Sequence, residues 1–157
     1  MMENILIGSV TMIACVVVQC GVVGVLLRFL IRLDRQHVLR PTILRTSAVL
    51  VAVLLIMVMG HALQIGLWAY VFSYLGEFSD FATACYHSTV NFTTLGYGDL
   101  VMSHKHRMLG AIEAANGVLM FGLTTSILFA VMHALLRRAW AQKHGQAPNI
   151  KDEFDLT

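Results

Sequence analysis

Charge is what this sequence has least of. Asp, Glu, Lys and Arg make up 13% of its 157 residues, against about 25% in an ordinary soluble domain. That scarcity excludes a soluble enzyme and a disordered chain. The net charge is only +2 and the Lys and Arg residues are scattered, which excludes a nucleic-acid binder. Cysteine is also scarce. Cys15, Cys20 and Cys85 form no Cys-x-x-Cys pair, are odd in number and lie in apolar stretches. They read as small hydrophobes, with neither a disulfide framework nor a metal site. What the sequence has in abundance is apolar residues, 57% of the chain, with a mean hydropathy of +0.72. The class left is a small integral membrane protein.

Three long runs are apolar enough to cross a bilayer, which takes about 20 helical residues. Ile5–Leu27 contains no charged residue. Its flanks lack the basic start and the small-residue cleavage site of a signal peptide, so it reads as a retained helix. Ser47–Tyr74 is a second uncharged run, ending in Trp68, Tyr70, Phe72 and Tyr74, the composition of an interfacial aromatic belt. Met108–Leu136 is the third, with Glu113 as its one acid. Between the last two lies Phe81–Phe92, 12 mostly apolar residues with Ser79 and Asp80 placed to cap them. A run of that length suggests a re-entrant helix rather than a crossing.

The expected division is therefore an N-terminal transmembrane helix over 1–33, a basic connector over 34–46 and a pore unit over 47–136. Within the pore unit, the outer helix covers 47–74, a short helix 79–92, an irregular segment 93–99 and the inner helix 108–136. A short tail follows over 137–157. Pro41 suits the first turn of the second helix. The stretch from Arg28 to Arg45, which includes the connector, carries Arg28, Arg32, Arg35, Arg40 and Arg45, and the chain after Leu136 carries Arg137, Arg138, Lys143 and Lys151. The positive-inside rule puts both in the cytoplasm and the N-terminus outside. That assignment holds only if the segment before Arg107 enters and leaves from the outer side. The arginines lie between spans rather than at every third position within one, so they read as headgroup anchors and not as a voltage sensor.

Thr93-Thr94-Leu95-Gly96-Tyr97-Gly98-Asp99 carries the functional reading. Irregular backbone at membrane depth is tolerated where it is buried in protein or lines a water-filled path. Gly96 and Gly98 permit backbone angles that strain other residues, so consecutive carbonyls can face one side. Four such strands stack rings of oxygens that replace the hydration shell of a cation. The segment closely resembles the potassium-channel signature, usually Thr-Thr-Val-Gly-Tyr-Gly-Asp. Residues 47–136 resemble the two-transmembrane pore module of bacterial potassium channels, here with an added N-terminal helix.

The resemblance implies an all-α membrane protein that assembles as a homotetramer in the lipid bilayer and conducts K+ passively. It implies no enzymatic activity and no cofactor beyond the ions themselves. Backbone carbonyls of Thr94, Leu95, Gly96 and Tyr97 would hold K+, with Gly98 closing the filter and Thr93, Asp99 and Tyr86 supporting it. Tyr86 stands where many relatives have an aromatic donor, and its hydroxyl is expected to bond Asp99. Gly117 falls near the family's inner-helix hinge. Leu95 replaces the usual Val, and Val90 stands where some relatives carry Glu. Alternatives are a non-selective cation channel on the same scaffold and a non-conducting sensor or assembly subunit.

Other residues carry two readings each. Glu113, an acid within a span, either bonds hydroxyls behind the short helix or acts on the ion. Asn116, Thr124, Thr125 and Ser126 either line a cavity or bond between helices. His61 and Gln64 read as interhelical donors. His104 and His106 read as solvated loop residues with possible sensitivity to external pH. Gly21 and Gly24 permit close packing without the spacing of a dimer motif.

Overall fold

The computed structural model describes residues 2–35 and 42–144. They form four helices and no strand: α1 Met2–Arg35, α2 Ile43–Tyr74, α3 Phe81–Phe92 and α4 Arg107–His144. Pro41 and the chain after His144 lie outside the described residues. α1, α2 and α4 are each long and apolar enough to cross a membrane. With 34, 32 and 38 residues, each is roughly 50 Å long at 1.5 Å per residue, against about 30 Å of hydrocarbon. Their ends therefore project beyond it.

The helix boundaries extend past the hydrophobic runs. α4 continues eight residues beyond Leu136. Arg137–Gln142 are all tolerated in a helix and no Gly or Pro occurs before Gly145, so nothing local stops it. Ser79 and Asp80 lie outside α3, which begins at Phe81.

α1 and α4 run in the same direction, with α2 antiparallel to both. At one end Asn4 of α1 donates to the carbonyl of Lys105, just before α4, and Gly8 packs on Ile112. Toward the other end Leu26, Val49, Val53 and Met57 form a buried cluster joined by Ile127, Val131 and Leu135. α3 folds back at the Asn4 end, against both α2 and α4. Its core partners are Trp68, Phe72, Leu109 and Met120, together with Cys15 from α1. The expected aromatic belt is thus divided. Trp68 and Phe72 are fully buried behind α3, while Tyr70 and Tyr74 are exposed. The reason is helical spacing: positions four apart share the face that α3 covers.

α1 is fastened to α2 inside the apolar layer. Gln64 Nε2 donates to Gln19 Oε1 at 2.7 Å, and both side chains are buried. Gly60 allows the approach, because a Cβ there would stand 3.0 Å from Val22 and 3.3 Å from Gln19 Oε1. A Cβ at Gly21 or Gly24 would meet nothing within 4 Å among the described residues beyond the helix's own backbone.

Candidate functional site

The segment from Asp80 to Asp99 begins with a well-made cap. Asp80 has extended backbone and accepts from the Thr83 amide at 2.8 Å and the Thr83 hydroxyl at 2.6 Å. These bonds, the hydroxyl's first, hold its carboxyl below the ordinary value. Asp80 thereby satisfies one of the helix's free amides, the usual role of an N-cap acid.

The far end of α3 is closed by backbone bonds, with the Thr93 hydroxyl adding a bond to the Thr89 carbonyl at 2.8 Å. The Thr94 amide donates to Asn91 O at 2.8 Å and the Leu95 amide to Val90 O at 2.9 Å. This is the Schellman pair, with Thr94 at the left-handed position. α2 ends the same way: the Gly76 amide reaches Ser73 O and the Glu77 amide reaches Phe72 O. There the left-handed residue is Gly76, at φ 73°. At the end of α3 it is a threonine at φ 60°, the one non-glycine residue with positive φ among the described residues. A β-branched residue in this region is strained, by about 1–3 kcal/mol.

Positive φ recurs at every second position beyond it, at Gly96 (57°) and Gly98 (75°). In an ordinary strand successive carbonyls point to opposite sides. Alternating the sign of φ allows every second peptide plane to flip, so that successive carbonyls can face a common side. Behind this segment Tyr86 Oη donates to Asp99 Oδ2 at 2.7 Å. That bond holds the Asp99 carboxyl below its ordinary value. Leu95 and Tyr97 are more than half exposed in the single chain.

A second carboxylate ties the loops on either side of this segment together. Glu77 accepts from the Ser103 amide and hydroxyl, both at 2.7 Å, and from His106 Nδ1 at 2.5 Å. A carboxylate is acceptor-only, so Nδ1 carries the proton. Burial pushes the Glu77 carboxyl up, but the Ser103 and His106 bonds outweigh it and hold it below the ordinary value. His106 is therefore 5% exposed rather than a solvated loop residue, while His104 is exposed. Glu77 and Ser103 were not legible as a pair in the sequence, where they stand 26 residues apart.

Gly117 lies where α4 crosses the end of α3. A Cβ at 117 would stand 1.9 Å from the Phe92 carbonyl oxygen. α4 is helical without a break through this point. The close approach by itself gives a reason for glycine here.

A family model described as ion channel matches residues 48–134. The chain belongs to the ion-channel family. The match begins in α2 and ends in α4, so the channel's α1 lies outside it. No curated protein and no solved structure matches the channel. With three membrane-capable helices, it is a multi-pass membrane protein.

The polar residues of the channel's inner helix separate by role. Thr125 and Ser126 bond carbonyls of their own helix, at Phe121 and Gly122. Thr124 meets His61 Nε2 of α2 at 3.0 Å, and the His61 ring packs on Phe92 and Phe121. Asn116 is fully buried. Glu113 is also fully buried, in hydrogen-bond contact with the Ser88 hydroxyl. The same hydroxyl is 2.9 Å from the Ile65 carbonyl. Asn91 stands beside Glu113 and bonds His87 Nε2 at 2.8 Å. Among the described residues no group of His, Cys, Asp and Glu is placed to hold a metal ion.

Proposed function

We propose that this channel is potassium-selective and conducts K+ passively through a central pore shared by four copies of the chain. One observation carries the reading: positive φ at Thr94, Gly96 and Gly98, inside a segment with the sequence TTLGYGD. One chain supplies one such strand, and rings of carbonyls that replace a hydration shell need four. In this reading the carbonyls of Thr94, Leu95, Gly96 and Tyr97 hold the ions. Thr93 and Gly98 complete the filter, and Tyr86 braces it through Asp99.

The exposure of Tyr97, at 68% in the single chain, supports assembly, because neighbouring copies would cover it. So do the exposed apolar side chains of α4, among them Val118, Leu119 and Phe129. The C-terminal end of α3 carries the partial negative charge of its helix dipole, which favours a cation below the filter. The basic connector and the C-terminal end of α4 belong in the cytoplasm by the positive-inside rule. The N-terminus then shares the outer side with Lys105, to which Asn4 is bonded.

Purified protein in liposomes, with mixed K+ and Na+ gradients, tests this. The expected result is a reversal potential that follows K+, and loss of flux in Gly98→Ala. A reversal potential indifferent to the K+/Na+ ratio would identify a non-selective cation channel. An intact tetramer with no flux would identify a non-conducting assembly.

A further inference from the structure

All four helices meet at one buried polar junction behind α3. α4 contributes Glu113 and Asn116, and α3 contributes Ser88 and Asn91. α2 contributes Trp68 and the Ile65 carbonyl. α1 contributes Cys15, whose thiol lies beside Asn116 and Trp68 and within electrostatic range of Glu113. The family match covers three of these helices and not α1.

A serine hydroxyl has one proton to donate. Ser88 Oγ stands within bonding distance of two oxygens, Glu113 Oε1 and Ile65 O. A carbonyl and a carboxylate are both acceptors only. With an ionised Glu113, Ser88 can fully serve one of them, and the other faces its lone pairs. A proton on Glu113 Oε1 removes the conflict. The carboxyl then donates to Ser88, and Ser88 donates onward to Ile65 O.

A second observation points the same way. Glu113 Oε2 is buried and makes no full hydrogen bond, only the neutral Asn91 amide stands beside the carboxyl as a further donor, and the described residues give it no basic partner. Such an oxygen is tolerable as the carbonyl of a neutral acid. As half of an anion it would be an unpaired buried charge, which costs far more. The titratable groups around it do not change this. α1 presents Cys15, α2 presents none, and α3 reaches its own His87 only through Asn91. On α4 itself Arg107 lies nearly two turns away and is not paired with it.

We propose that Glu113 is a proton-binding site, occupied at neutral pH, and that the neutral acid locks α3 to both flanking helices through the chain Glu113 to Ser88 to the Ile65 carbonyl. Its role is that of a positioning residue for the helix that presents Thr93–Asp99. The hydrogen-bond chain lies within one subunit and is the same whichever ion is conducted.

Infrared spectroscopy of the full-length channel in lipid at pH 7 tests it, alongside thermal unfolding of the assembled protein. The expected spectrum has a protonated-carboxyl band that disappears in Glu113→Gln and shifts in Ser88→Ala. Glu113→Gln replaces the hydroxyl donor with an amide donor of the same shape. It should assemble, with a midpoint close to wild type, whereas Glu113→Leu lowers the midpoint clearly. Absence of a protonated-carboxyl band assignable to Glu113 overturns the proposal. So does a Gln variant that fails to assemble or melts as early as the Leu variant. These readouts remain valid for a protein that shows no K+ flux.

Discussion

The α-carbon of Gly117 rests against the carbonyl of Phe92, so closely that a side chain at 117 would stand 1.9 Å from that oxygen. Phe92 is the last residue of α3 and Gly117 lies within α4. The contact therefore fixes how near the inner helix comes to the end of the helix that presents the filter segment. The atom in the way is backbone, so it cannot swing aside as a side chain would.

Gly117→Ala should then push α4 from α3. Overpacking of a tight contact costs about 1–3 kcal/mol, and a backbone clash belongs at the upper end. The midpoint of thermal unfolding of the assembled channel should fall. Gly122→Ala provides the control, since a Cβ there would meet nothing within 4 Å among the described residues beyond its own helix backbone. An unaltered midpoint in Gly117→Ala would contradict the contact as described.

The Tyr86–Asp99 bond makes a prediction about gating and acid. Tyr86→Phe removes the donor while keeping the ring. It should speed inactivation or lower open probability, read in single-channel recordings. The Asp99 carboxyl is held below its ordinary value. The stabilisation from its ionised form is therefore present above the ordinary carboxylate value and is lost as pH falls through the lowered one. In Tyr86→Phe that loss should begin at higher external pH than in wild type. Identical acid profiles would count against the bond.

Glu77 gives a second pH-dependent element with the same sign. Its carboxyl is held down by Ser103 and His106. The clasp should hold throughout the neutral range and open on acidification below the ordinary carboxylate value. Glu77→Ala leaves the Ser103 amide and His106 Nδ1 without their acceptor, at a cost of about 1.5–3 kcal/mol for hydrogen bonds to a charged group. Hydrogen exchange at the Ser103 amide should rise sharply in that variant. Protection as strong as in wild type would refute the clasp.

The glutamine pair predicts a coupling across α1 and α2. Gln19→Leu leaves Gln64 buried with both amide atoms unpartnered, because Oε1 already has no donor. Hydrogen bonds between membrane helices are worth about 0.6 kcal/mol on average, and at most about 1.7. Each single change to Leu should destabilise by roughly that amount, while the double change Gln19→Leu with Gln64→Leu recovers much of it. A double-mutant cycle with no coupling energy would show that the two side chains do not interact.

By itself the sequence determined what can be read along the chain. Apolar runs of about 20 residues or more, long enough for a bilayer, dictated three long helices, because a helix of that length satisfies its own backbone in hydrocarbon. Asp80, three residues before Thr83, marked where the short helix starts. The alternating glycines at 96 and 98 marked where irregular backbone follows. The extension of α4 to His144 escaped because a hydropathy run ends where charge begins, whereas a helix ends where a Gly or Pro stops it.

Only the tertiary structure decided which polar groups meet. Gln19 finds Gln64 across 45 positions, Glu113 finds Ser88 across 25, and Glu77 finds His106 across 29. Nothing local in the chain specifies these pairs. They follow from how closely the helices approach, and that is set by features such as the bare α-carbons at Gly60 and Gly117. The same packing turned Trp68 and Phe72 from an expected membrane belt into core, and made His106 a buried partner of Glu77. Spacing along one helix tells which residues share a face. Which face another helix covers is decided by the lowest-energy packing of all four, because buried polar groups must find partners and close contacts must avoid clashes.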